Sequence, residues 1–152
     1  MTTSFLGELM TATHNFGASP IRAASTADTF KAALFLASAT INAATTAYST
    51  TGEVTGTGYT AGGVTVTNAT APIATNASAT AGVAYWTPSA SFVYTTVTLS
   101  TAFDCVLVYN STQSNKAVSV HTFGSQTITA GTFTLTMPSN TTTTALLRLA
   151  TT

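Results

Sequence analysis

Residues 103–109, Phe-Asp-Cys-Val-Leu-Val-Tyr, constrain the fold more than any other stretch of the chain. Successive side chains of a β-strand point to opposite faces, so this run is apolar on both faces apart from Asp104. Such a strand needs cover from two directions and belongs in the middle of a sheet. Cys105 shares a face with Phe103 and Leu107 and reads as a small buried apolar residue, while Asp104 points the other way.

The remaining apolar runs are also short and alternating. Residues 28–36 place Phe30, Ala32, Leu34 and Leu36 on one face, against Lys31, Ala33 and Phe35 on the other. Further strands are expected at 64–67, 82–87, 92–99 and 116–123, with Pro88 ending the second of these. The polar turn 110–115 joins two strands as an antiparallel hairpin. Ala130-Gly131 reads as a second tight hairpin between 126–129 and 132–137, and residues 145–150 supply a last strand. Tyr85 and Trp86 face opposite ways, which gives one to the core and the other to a surface or interface. Arg148, between Leu147 and Leu149, is an outward strand residue or a contact between subunits.

Helix signals are few. Leu6, Leu9 and Met10 share a face at helical spacing, with Ser4 placed to cap the start. An Ala-rich helical turn is expected within 42–48. Residues 11–27 form a connecting arm, and 68–81 a long loop or weak edge strand around Pro72. These elements predict a mainly β fold, an antiparallel β-sandwich or partly closed barrel with a short N-terminal helix and arm. The expected organisation is a helix and arm over 1–27 followed by a β-sandwich domain over 28–152.

Composition narrows the function. Charged residues are 5% of the chain against a usual level of about 25%, and threonine fills 37 of 152 positions. With four basic and four acidic side chains and no cluster of either sign, phosphate neutralisation has no footing, so nucleic acid is not an expected partner. No run approaches the roughly 20 apolar residues that span a bilayer, so no membrane partner is expected. The start of the chain lacks the pattern of a secretory signal, and the single cysteine allows no internal disulfide, which suits a protein made in a cytoplasm. Zero formal charge disfavours a dispersed monomer and hints at assembly.

The glycine-dense segment 51–66 is the chain's most distinctive loop, with Gly56, Gly58, Gly62 and Gly63 in eight positions. Residues 56–61 formally satisfy a dinucleotide-binding fingerprint, yet alternating Val64 and Val66 follow where a helix is needed, and no acid lies between Glu53 and Asp104. No cofactor is expected. Glu53 instead reads as the acid that fixes the loop through hydrogen bonds, with Tyr59 inside it. Cys105, His14 and His121 lack the spacing of a metal set and the arrangement of a nucleophile with its base. No catalytic or metal-binding residue is therefore expected, and the chain reads as a non-enzyme.

Several stretches carry a resemblance: residues 8–16, 28–35, 47–63, 108–116 and 130–138, before Leu147-Arg148-Leu149. The ordered Glu-Val-Thr-Gly-Thr-Gly-Tyr-Thr-Ala-Gly-Gly of 53–63 is its most specific part. Together they resemble a family of small virion structural proteins of tailed bacteriophages. The chain departs from that pattern at 17–27 and after Asn68. The resemblance implies a virion component, with a capsid cement or decoration protein as the leading expectation. Its partners would then be the major capsid protein and further copies of itself, as a homotrimer on the phage head. The alternative is a neck, tail or fibre component that binds a receptor or glycan through Tyr59, Tyr85 or Trp86.

Overall fold

The computed structural model describes residues 1–10, 13, 14, 16, 27–67, 72–75 and 82–150. The chain is mainly β and sandwich-like in class, with antiparallel sheets and one short N-terminal helix. In order come α1 (Thr3–Met10), β1 (Phe30–Leu36), β2 (Val64–Thr65), β3 (Ile73–Thr75), β4 (Val83–Trp86), β5 (Phe92–Asn110), β6 (Lys116–Leu135) and β7 (Leu147–Ala150). One sheet runs β2-β1-β5-β6 and the other β3-β4-β7.

The chain divides into two compact units. The first holds Met1–His14, Asp28–Val66 and Phe92–Thr134, and the second holds Asn15–Ala27, Thr67–Ser91 and Leu135–Thr152. This differs from the expected division into 1–27 and 28–152, because α1 is stitched into the first unit. Thr3 N–H donates to Ala43 O at 2.9 Å, and Thr2 N–H donates to Val118 O at 3.0 Å. The helix starts at Thr3, so Ser4 lies within it rather than capping it. The arm expected over 11–27 lies outside the described residues except at 13, 14, 16 and 27.

In the first unit β1 and β5 form the centre. Seven antiparallel pairs join them from Phe30↔Asn110 to Leu36↔Phe103, with a register shift after Phe35 that absorbs Asp104. The alternation expected for β1 gives way to burial of both faces: Phe30, Ala32, Ala33, Leu34 and Phe35 are all fully buried. Residues 105–110 are buried without a break, which fits a central strand covered from two sides.

Strands expected separately at 92–99 and 103–109 are one strand, β5. Thr96 takes a φ of 53°, and residues 95 and 96 are both exposed, so a bulge switches the inward set from Phe92 and Tyr94 to Val97 and Leu99. The hairpin expected at Ala130-Gly131 is likewise absent, since β6 runs through it. A two-residue reversal needs positive φ at both central residues, or glycine at the first. Here only Ala130 has it (46°), and its N–H is held by Thr98 Oγ1 at 3.0 Å, which kinks the strand without turning it.

The β5–β6 hairpin folds back on itself. Phe103 meets both Phe123, at 6.0 Å between ring centroids, and Phe133, at 5.1 Å. Ten residues of straight strand would separate those two partners by roughly 33 Å. The bend falls where outward residues run together, at 100–101 on β5 and 124–127 on β6. It carries Tyr94 over β1, where the Tyr94 hydroxyl donates to Ala32 O at 2.8 Å.

The helical turn expected in 42–48 is replaced by a side-chain-directed turn: Asn42 Oδ1 accepts from Ala44 N–H at 2.8 Å, and Thr45 Oγ1 accepts from Asn42 N–H at 3.0 Å. In the second unit β4 is flanked by β3 and β7. Trp86 is buried there and packs edge-on against Phe16 at 4.8 Å.

Candidate functional site

Two polar clusters, both in the first unit, gather most of the chain's chemistry-bearing residues. The first lies on the glycine-dense loop. Segment 52–66 runs beside β1 and is bonded to it at both ends. Leu36 N–H donates to Gly52 O at 2.9 Å and Val54 N–H to Leu34 O at 3.0 Å; at the far end β2 pairs with Ala32 and Lys31, and Val66 N–H donates to Phe30 O at 2.9 Å. Between these ends residues 55–63 leave the ladder. Tyr59 reaches back from the excursion, its hydroxyl accepting from Leu34 N–H at 3.1 Å and donating to Glu53 Oε1 at 2.7 Å. A side-chain hydroxyl thus completes the backbone bonding of β1 where the neighbouring strand has departed.

Glu53 is the anchor. The residue is 6% exposed. Besides Tyr59, Oε1 accepts from Gly62 N–H at 2.7 Å, and Oε2 accepts from the Tyr48 hydroxyl at 2.6 Å. Tyr48 stacks on Tyr109 with centroids 4.4 Å apart, and the Tyr109 hydroxyl donates to Gly62 O at 2.9 Å. Both backbone polar groups of Gly62 are therefore held. Gly63 has a φ of +70°, and a Cβ there would stand 1.8 Å from Ala32 O; at Gly56 a Cβ would stand 2.0 Å from Thr98 O. Glycine is required at both places because backbone lies on backbone. Gly58 lies in the same way against Thr96.

This arrangement suits holding, not turnover. Burial and the negative charge of Glu53 push the Tyr48 and Tyr59 hydroxyls above their ordinary range, and Tyr109 up to about 12, so all three stay neutral donors. The carboxylate faces three short donors, which fix its position and orientation.

The second cluster ties α1 to the sheet. Glu8 Oε1 accepts from Lys116 Nζ at 2.7 Å, and its Oε2 lies 2.7 Å from His14 Nε2. On the other side of the ring, His14 Nδ1 lies 3.0 Å from Asn110 Nδ2, which also donates to Asp28 Oδ2 at 2.8 Å. Asn110 Oδ1 accepts from the N–H groups of Thr112 and Gln113, at 3.1 and 3.2 Å. Gln113 Nε2 donates to Asp28 Oδ1 at 3.1 Å. Burial holds the His14 pKa below its usual value against the opposing pull of Glu8 and Asp28. Burial raises the Glu8 pKa, but the bonds to Lys116 and His14 outweigh it and leave it lowered.

The other residues singled out in the sequence sit apart from these clusters. Trp86 is 1% exposed, so it presents no face for stacking on a ligand. Tyr85 is half-buried and lies in one row with Ile73 and Arg148 across the three-stranded sheet; Arg148 is exposed and its Nε donates to Thr142 O at 2.6 Å. Cys105 is buried, its thiol pushed up to about 11 by burial and by Asp104, so it is a poor nucleophile. The Asp104 carboxylate acts on that thiol despite the expected opposite facing, because Asp104 sits at the register shift. His121 lies 2.8 Å from Ser119 Oγ, and burial lowers its pKa to about 4.

Among the described residues no three His, Cys, Asp or Glu side chains are placed to hold a metal ion. Among the described residues no helix is long and apolar enough to cross a membrane. Sequence reasoning missed Tyr48, Tyr109, Glu8, Asp28 and Asn110 as partners, since none lies at a regular spacing from the residue it serves. No family model, curated protein or solved structure matches the chain.

Proposed function

We propose that this chain is a structural protein of a bacteriophage virion, a capsid cement or decoration protein that binds across shell subunits and catalyses no reaction. The observation that carries this reading is the outer edge of β6. β6 is the last strand of its sheet, and residues 122–135 of it hold no charged side chain and no proline. Natural edges are usually blunted by charge or proline, and this one is left able to accept an added strand. Its first residues are already covered by the chain itself, through Thr2 and through Ala117 N–H donating to Thr46 O at 3.0 Å. The resemblance of 53–63 to virion proteins supports the same reading, as does a loop built for rigidity.

Assembly as a closed homotrimer on the head is part of the proposal. Purified protein added to particles lacking it is expected to restore resistance to heat or chelator. Occupancy should change little with salt, because few charges are available to screen. Restored attachment to cells without restored particle stability would replace this reading with the fibre-type adhesin. That rival has lost Trp86 as a stacking surface, and Tyr85 is half-buried.

A further inference from the structure

The Asn110 amide has only one workable orientation. Its Oδ1 is committed to two backbone N–H groups, those of Thr112 and Gln113, so Nδ2 must face His14 and Asp28. Nδ2 can only donate, which obliges His14 Nδ1 to accept. The ring proton is then on Nε2, where it donates to Glu8 Oε2. His14 is held as one neutral tautomer. A second proton, on Nδ1, would point at an amide that is itself a donor, and turning the amide would forfeit two backbone bonds.

The position of His14 gives this chemistry a consequence. Its side chain is fully buried, with the Phe5 ring of α1 at 4.8 Å on one side and the Phe30 ring of β1 at 6.3 Å on another. The ring thus connects α1, the start of β1, the end of β5 and, through Glu8, the Lys116 ammonium at the start of β6. We propose that His14 is a pH-sensitive latch whose protonation loosens α1 from the four-stranded sheet. Among the described residues the charged groups bearing on it are Glu8 and Asp28, which favour the proton, and Lys116, which opposes it. Asn110 and the two rings supply the steric and donor mismatch. His121 bears on the same helix from β6 by a different route, since it feels the charge of the amino terminus.

Hydrogen exchange on the full chain between pH 7.5 and pH 5.0, corrected for intrinsic rates, tests this. The Thr3 amide reports docking on Ala43, and the Leu34 amide, held by the Tyr59 hydroxyl, reports the middle of β1. At pH 5.0 the Thr3 opening constant should rise by up to roughly thirty-fold, the ratio for a histidine of ordinary pKa that stays unprotonated when buried, with Leu34 changing far less. His14→Gln should remove that rise and His121→Gln should retain it. Imidazole NMR on the unaltered protein provides a readout independent of any variant, with the Nε2–H tautomer expected to persist below pH 6. Titration of His14 at or above 6.5, equal acid loosening of Thr3 and Leu34, or an unchanged rise in His14→Gln would each overturn the latch.

Discussion

The two buried clusters of the first unit use a carboxylate in opposite ways. Glu53 takes its donors chiefly from its own stretch of chain, from Tyr48, Tyr59 and Gly62, and all three are neutral groups that keep their protons across the physiological range. Glu8 instead takes a lysine and a histidine, and the histidine leans on an asparagine from the far end of β5. The first cluster shapes a loop, and its donors hold their protons throughout the neutral range. The second joins elements up to 108 residues apart and contains a histidine, held below its usual pKa by burial, whose charge changes in acid. Local, neutral donors give rigidity, whereas distant, proton-exchanging donors give responsiveness.

The sharpest break in that comparison should come from the backbone beneath the Glu53 cluster. Gly63→Ala would drive a methyl group into Ala32 O at a positive φ, and should cost about 4 kcal/mol or more in urea denaturation. Gly124→Ala is its control, because nothing lies within 4 Å, and should stay within about 0.5 kcal/mol. Next comes acidification. His121, at about 4 when folded and near 6.5 when unfolded, binds its proton more weakly in the native state, and His14 is shifted the same way. Their contribution is complete above about pH 6.5 and is lost as pH falls toward 4, to a total of about 3 kcal/mol for His121 alone. Stability measured from pH 8 to pH 4 should therefore fall in acid, and a flat profile would remove the contrast.

Two substitutions probe the Glu53 cluster itself. Glu53→Gln keeps an acceptor but surrenders charge-assisted bonds, and should cost about 2 kcal/mol, with the same loss at pH 6 and pH 8. Tyr59→Phe leaves Leu34 N–H without its partner and removes one donor to Glu53, for about 1–3 kcal/mol by the same assay. If either loss varied steeply between those pH values, the division between an inert and a responsive cluster would fail.

The β class, the central place of 103–109 and the special geometry of the glycine segment were legible in the sequence, because periodicity and glycine density report directly on backbone requirements. The merging of strands was not. Thr96 and Ala130 adopt positive φ without being Gly or Asn, so nothing in their identity marks the bulges that let β5 and β6 run on. Glu53 drew notice for its rarity and its glycine neighbours, but Tyr48 and Tyr109 carry no pattern that links them to it. The His14 cluster was illegible for a stricter reason. Its logic depends on the amide oxygen of Asn110 being already engaged, which leaves the amide nitrogen for His14, a fact set by the turn at 111–115 and by no spacing in the chain.

The folded-over hairpin also sets an order of events. β5 and β6 are adjacent in sequence and can zip from the turn at 111–115, whereas β1 must find β5 across some 80 residues, as at Phe30↔Asn110. Closing that loop carries an entropic cost before its contacts reward it, so β1 insertion is the expected bottleneck on a time scale of roughly milliseconds to seconds. The glycine segment meets β1 across shorter loops, from Leu36 with Gly52 to Phe30 with Val66, so it can pair with that strand before β5 does. A chain interrupted at this stage would present β5 with its inner edge uncovered, a sticky intermediate prone to pairing with other chains before its own β1 arrives.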